Sequence, residues 1–316
     1  MEHDGISAVE FENAVSRVNK LRKEMGRFVI GQANVIDQLI IAIMADGNAL
    51  LESYPGMGKT LMVKTLAALT DLKFSRVQNT PDLLPADIIG TYIIEEEKAG
   101  KKFVFRQGPI FANLILADEI NRATPKTQSA FLEAMQEKQV TVGNETFKLQ
   151  EPFFVLATQN PIDLEGTYPL PEAQVDRFLL KILLTYPARD EEKKVMKMYS
   201  ANDSMRTVSK VMTRNDILRL QRITRMVPVS EDVTDYALDV VCKTRGHELI
   251  EFGASPRASI GLLVAGKANA LISGRKFVSK KDIQEMAYPV LRHRIILSFQ
   301  AEKDGKKPDD VVKELL

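Results

Sequence analysis

Between Leu50 and Leu66 the chain runs Leu50-Leu51-Glu52-Ser53-Tyr54-Pro55-Gly56-Met57-Gly58-Lys59-Thr60 into Leu61-Met62-Val63-Lys64-Thr65-Leu66. A short apolar strand, a glycine-rich turn and a helix start, in that order, belong to a parallel α/β sheet. The free N–H groups of the turn and of the helix start converge on one spot, and the helix dipole adds to them, so that spot attracts an anion. Lys59 and Thr60 follow at the positions that reach the β- and γ-phosphates and a Mg²⁺ ion in phosphate-binding loops. The pattern G-x-x-x-x-G-K-S/T is met at Gly58, Lys59 and Thr60, but its first position is Ser53. If that position needs positive φ, a serine there costs about 1–2 kcal/mol and weakens affinity without abolishing it.

Composition narrows the class. The chain has 316 residues, enough for about two domains, with 45% hydrophobic and 27% charged residues, as in folded soluble protein. Lys plus Arg number 43 against Asp plus Glu 42, so no bulk charge draws the chain to nucleic acid or to an anionic membrane, and neither is expected as a partner. The one cysteine, Cys242, excludes an internal disulfide framework, and with Leu238-Asp239-Val240-Val241 before it, it reads as buried. His3, His247 and His293 are too scattered for a histidine metal cluster. No signal-like segment follows MEHDGIS, and the apolar run Leu39–Ala45 is far shorter than the roughly 18 residues of a membrane span. A cytoplasmic protein without stable membrane insertion is expected.

Periodicity then orders the elements. Phe11, Ala14, Val15, Val18, Leu21 and Met25 predict one amphipathic helix, and Val35, Ile36, Leu39, Ile40 and Ile43 a second. Apolar runs at 49–51, 113–117, 153–157 and 178–184 read as buried parallel strands, with a helix capped by Thr124 and opened by Pro125 between two of them. Two β-hairpins interrupt this scheme, at 91–94 with 103–105 and at 139–142 with 146–149. After Pro187 the strand signals stop. The chain therefore divides into an α/β domain over 1–186 and a smaller all-helical domain over 187–316, with helix starts at Thr213, Ser230, Ser255 and Ser279. The polar stretch from Ser200 to about Lys210 reads as a mobile loop.

Leu114-Ile115-Leu116-Ala117-Asp118-Glu119 is a strand ending in adjacent carboxylates. Downstream of a phosphate-binding loop, Asp118 suits the metal side and Glu119 the polarisation of an attacking water. The next strand ends Thr158-Gln159-Asn160-Pro161; Asn160 there either orients water or phosphate or makes a plain turn before proline. Arg257 sits just inside a helix start, where a cation opposes the dipole, so an anion is its expected neighbour. Arg177 reads locally as an ion-pair partner of Asp176 or Glu172.

The order of motifs resembles the MoxR family of AAA+ ATPases, relatives of the magnesium-chelatase ATPase subunit. The residues that carry it are Val29-Ile30-Gly31-Gln32, Pro55-Gly56-Met57-Gly58-Lys59-Thr60, Thr80-Pro81-Asp82-Leu83-Leu84-Pro85, Gly108-Pro109-Ile110-Phe111-Ala112-Asn113, Ala117-Asp118-Glu119-Ile120-Asn121-Arg122-Ala123, Ala157-Thr158-Gln159-Asn160-Pro161, Pro171-Glu172-Ala173-Gln174-Val175-Asp176-Arg177-Phe178 and Gly253-Ala254-Ser255-Pro256-Arg257-Ala258. The resemblance implies an AAA+ core with the two hairpins as its helix-2 insert and pre-sensor-1 hairpin, and a helical lid. It implies a homo-oligomeric ring, usually a hexamer, with ATP or ADP and Mg²⁺ between subunits. By the same resemblance Val29, Ile30 and Gly31 line the adenine pocket, and Pro55 through Leu61 hold the nucleotide. Asn160 matches sensor 1, Arg257 sensor 2, and Arg177 the arginine finger given in trans; Arg122 is a further interface candidate. Ser53 departs from the family's usual glycine. Such proteins act as chaperone-like remodellers that mature or activate a client complex, commonly with a partner carrying a von Willebrand factor A domain. The expected activity is Mg²⁺-dependent ATP hydrolysis, with an ATP-gated scaffold of very low turnover as the alternative.

Overall fold

The computed structural model describes residues 7–97, 100–162, 166–200 and 208–316. Helix α1 (Ala8–Phe28) is capped by the Ser7 hydroxyl, which accepts the Glu10 N–H, and turns Phe11, Ala14, Val18, Leu21 and Met25 inward at helical spacing. The larger of these, Phe11, Val18, Leu21 and Met25, each add roughly 1.5–3 kcal/mol of burial. Helix α2 (Ala33–Met44) leads to β1 (Ala49–Ser53), α3 (Lys59–Thr70) and β2 (Phe74–Gln78). The short α4 (Pro85–Ile89) opens the first hairpin, β3 (Gly90–Glu97) with β4 (Gly100–Gln107), before β5 (Leu114–Asp118). Helix α5 (Pro125–Glu137), capped by Thr124 as expected, precedes the second hairpin, β6 (Gln139–Val142) with β7 (Glu145–Lys148). Then come β8 (Phe154–Gln159), the one-turn α6 (Glu172–Val175) and β9 (Leu180–Leu184).

The five main strands are parallel in the order β2-β5-β8-β1-β9. Their carboxyl ends therefore bring Gln78, Asp118, Gln159 and Ser53 to one edge, the edge where open α/β sheets bind ligands. Strand β2 has no apolar run and escapes a reading by hydrophobicity, since only Val77 of its five residues is buried. The hairpins are joined by aromatic rings: Phe105 stacks on Phe147 with centroids 4.3 Å apart, and Phe111 meets both edge-on.

The second half holds α7 (Arg189–Ser200), α8 (Arg214–Met226), α9 (Glu231–Lys243), β10 (Ile250–Phe252), α10 (Pro256–Ile272), α11 (Lys280–Leu291), β11 (Ile296–Leu297), α12 (Phe299–Lys303) and α13 (Pro308–Leu315). Among the described residues it is helical apart from β10 and β11, an antiparallel pair too short to leave an apolar signature, so the all-helical expectation is corrected there. Thr213 and Ser279 make the expected capping boxes, whereas Ser230 bonds the Asp232 carboxylate. Most of the stretch read as mobile, 201–207, lies outside the described residues.

Cys242 is exposed, not buried. The inward positions of α9 are Val233, Ala237, Val240 and Val241, and the next residue turns away from them. One continuous apolar core joins α1, α2, one face of the sheet and the lid helices, from Val18 and Leu39 through Leu51 to Leu262 and Val290. A second, on the other sheet face, holds Ile115, Val155 and Phe131.

Candidate functional site

The loop from β1 to α3 turns on Gly56 at φ 79° and Gly58 at φ 77°, and a Cβ at either would meet no atom within 4 Å. The cradle is open and its left-handed turns fall on glycines, which adopt them without strain. Ser53 is the last residue of β1, opposite Leu184, 2% exposed, and its hydroxyl donates to the Tyr54 carbonyl at 3.3 Å. Positive φ among the described residues does not include it. The strain feared from a serine at this position is therefore absent, because the strand is still extended there.

Lys59, at the first position of α3, places Nζ 3.7 Å from Asp118 Oδ1. Asp118 also accepts the Thr158 hydroxyl at 2.7 Å and Arg76 Nη2 at 2.7 Å. Burial pushes its carboxyl up, but the bonds from Thr158 and Arg76 and the Lys59 charge outweigh that and hold it below its ordinary 3.8. Glu119, one residue on, adopts the left-handed conformation at φ 54°, a strained state for a non-glycine residue that clusters at functional sites. Its N–H donates to Thr158 Oγ1 at 2.9 Å, and its Oε2 accepts Gln78 Nε2 at 3.0 Å with Arg122 Nη1 at 3.4 Å. Thr158 thus fastens both carboxylate residues from the neighbouring strand.

Pro55–Leu61, Arg76, Gln78, Asp118 and Glu119 enclose a cavity of about 280 Å³. Thr60 and Asp118 offer it hard oxygen donors of the kind Mg²⁺ takes together with phosphate oxygens. Arg76 and Gln78 were not expected, because their strand was not. Once β2 is placed, the alternation Phe74, Arg76, Gln78 against Ser75 and Val77 marks them.

A second cavity, about 400 Å³, shares Pro55–Gly58 and Leu61 with the first, so the two form one trough. Val29, Ile30, Tyr186, Pro187, Val195, Met198 and Tyr199 give it apolar walls of a size and character that suit a purine. Gly31 stands beside it; a Cβ there would lie 2.8 Å from Glu191 Oε2 and 3.0 Å from Pro187 Cβ. Val195, Met198 and Tyr199 of α7 are not among the residues expected from sequence; their signal is apolar spacing on a helix with no buried position.

The remaining expected residues lie elsewhere. Asn160, 6% exposed, follows β8 and accepts the Ile162 N–H at 3.2 Å; it does not line the phosphate cavity. Arg257, matched above to sensor 2, does not line the phosphate cavity of its own chain. It stands 3.3 Å from Asp176 and borders, with Arg177, a third cavity of about 190 Å³. The anion implied by its place at a helix start is Asp176. Its position follows from lid packing, where a Cβ on Gly261 of the same helix would lie 3.3 Å from Leu179 Cδ1.

Residues 48–180 match the model of the ATPase family associated with various cellular activities (AAA), and 242–315 match that of the AAA lid domain. Chaperone MoxR1 of Mycobacterium tuberculosis is 41% identical across 96% of this chain and 83% of its own length. The chain belongs to the MoxR family of AAA+ ATPases. YeaC of Bacillus subtilis is 42% identical across 95% of this MoxR-family chain and 93% of its own. A solved structure from Cytophaga hutchinsonii superposes with a TM-score of 0.89 at 42% identity, covering 96% and 94% of the two chains. In this MoxR-family member the phosphate loop, Asp118, Glu119 and Arg177 fall in the first matched segment and Arg257 in the second, while α7, which walls the purine-sized cavity, lies between them. Among the described residues no helix is long and apolar enough to cross a membrane.

Proposed function

We propose that this protein hydrolyses ATP with Mg²⁺ in a homo-oligomeric ring, by family resemblance a hexamer, and couples turnover to remodelling or activation of a protein client. The observation that carries the chemistry is the gathering of Lys59, Thr60, Asp118 and Glu119 around one cavity at the sheet edge. Lys59 and the loop N–H groups hold the phosphates, and Glu119 orients and deprotonates the attacking water. Thr60 and Asp118 would hold Mg²⁺, which supplies neutralisation of phosphate charge when bound. Arg177 and Arg257 share a cavity separate from the phosphate trough of their own chain, which supports donation of both to an adjoining subunit's nucleotide. One relative of this chain bears the name chaperone. A partner with a von Willebrand factor A domain and a cytoplasmic location complete the proposal on family grounds.

A second reading, an ATP-gated scaffold of very low turnover, is favoured by the Gln78 and Arg122 contacts that occupy Glu119 Oε2. Phosphate release from Mg-ATP by wild type, Glu119→Gln and Arg177→Ala over a range of protein concentrations separates the two. Specific activity that rises with assembly and is lost in both variants supports the ring ATPase. Equal, negligible rates in all three despite ATP binding support the scaffold.

A further inference from the structure

Arg294 is 3% exposed at its side chain, and all its N–H groups have acceptors. Nε donates to Asp176 Oδ1 at 2.9 Å, Nη1 to the Leu179 carbonyl at 3.0 Å and to that of Val290, and Nη2 to the carbonyls of Asp176 at 3.2 Å and Phe178 at 2.5 Å. A guanidinium has five donors, and these five bonds use them all. On either side, His293 Nε2 meets the Phe178 carbonyl at 3.0 Å and Arg292 donates to that of Lys181 at 3.2 Å. Three consecutive lid residues thus close on the main chain from Asp176 to Lys181, the segment that carries Arg177. The other carboxylate oxygen of Asp176 accepts the Ser255 hydroxyl at 2.9 Å and Arg257 Nη1 at 3.3 Å.

A buried ion pair is a poor source of stability, since well-packed apolar residues often do as well; what a fully bonded guanidinium adds is geometry. We propose that Arg294 is a positioning residue for the ATPase reaction: it fixes the Asp176–Leu179 backbone and the Asp176 carboxylate so that Arg177 and Arg257 are presented together to the adjoining subunit's nucleotide. This rests on the reading above in which those arginines act in trans. Arg294 itself touches no nucleotide; it acts through Asp176 and the strand.

The test is subunit mixing. Arg294→Lys keeps a charge near Asp176 but cannot make the fork of bonds to the carbonyls. Alone, its kcat falls at least about 10-fold while its affinity for a fluorescent ATP analogue stays within about 2-fold, because its own trough is intact. Mixed in equal amounts with Glu119→Gln subunits, which keep intact arginines, it recovers about a quarter of the wild-type rate, the share of interfaces that combine both sound halves of a heterologous contact. A lesion confined to its own subunit's fold gives no such recovery. Arg177→Ala mixed with Glu119→Gln is the control. If the control recovers and Arg294→Lys does not, or if Arg294→Lys alone keeps the wild-type kcat, the positioning role is overturned and the trans reading stands. If neither mixture recovers, the trans reading falls and takes this inference with it. Arg294→Gln, run in parallel, carries the same expectation; should both variants fail to fold, Arg294 is structural only.

Discussion

Gln78 reaches from the edge strand to Glu119, its side-chain amide donating to Oε2 at 3.0 Å. The oxygen that would accept a proton from water is already engaged, and Arg122 lies 3.4 Å from the same atom. We predict that Gln78→Leu raises basal ATP turnover about 2–5-fold, the worth of one modest hydrogen bond of about 0.5–1 kcal/mol. Nucleotide affinity should not change. A fall in kcat by phosphate release would mean instead that Gln78 aims Glu119 at its target.

Thr158 makes two bonds that valine cannot, donating to Asp118 and accepting from the Glu119 N–H. Thr158→Val, nearly the same in shape, should destabilise the protein by about 1–3 kcal/mol through the unpaired buried groups. It should also lower kcat, because the left-handed turn at Glu119 loses its tether. Urea unfolding together with single-turnover rates would check both parts; an unchanged kcat would show that the turn holds itself.

Ser53 is extended and bonded in β1, so restoring the family's glycine there has no strain to relieve. We expect Ser53→Gly to leave kcat and KM within about 2-fold and to lower stability by about 0.5–1 kcal/mol, the usual effect of glycine within a strand. Gly58→Ala, at φ 77°, should by contrast cost about 1–2 kcal/mol and weaken nucleotide binding. A large gain in turnover from Ser53→Gly would refute this account of the loop.

His293 is held neutral: burial above all, helped by the charges of Arg294, Lys181 and Arg292, pushes its imidazole well below the usual 6.5 despite the bond to the Phe178 carbonyl. The unfolded chain therefore takes up a proton that the folded one refuses. The resulting stability is present above about pH 6.5 and is lost as pH falls below it, by at most roughly 1.4 kcal/mol per pH unit. Denaturant titrations from about pH 5 to 7.5 should show that slope in wild type and a flatter one in His293→Gln, which retains an N–H donor. Equal slopes would place the proton elsewhere.

Much of the site could be read from local order along the chain. Gly56, Gly58 and Lys59 lie consecutively on a strand-turn-helix, and Asp118 and Glu119 end an uninterrupted apolar strand, so each signal is short-range. Arg76 and Gln78 were hidden because an edge strand with one buried residue needs no hydrophobic run. Arg257 shows the opposite limit. Its helix start and its need for an anion were legible, but which anion was decided by Asp176 across the lid contact. The apolar neighbours of Cys242 suggest burial, but the helical period through Val233, Ala237 and Val240 turns it outward.

The opening helix ends up far from where its place in the chain suggests. Val15 lies 3.7 Å from where a Cβ on Gly274 would stand, and Lys276 Nζ is 5.9 Å from the centre of the Phe11 ring, both in the turn after α10. Positions some 260 residues apart are in this sense one unit of selection: a change of bulk on the inner face of α1 must be answered in the turn between α10 and α11. Sequence drift in this lineage should therefore pair the first helix with the lid, and a chimera that exchanges the lid alone would inherit a mismatched seam.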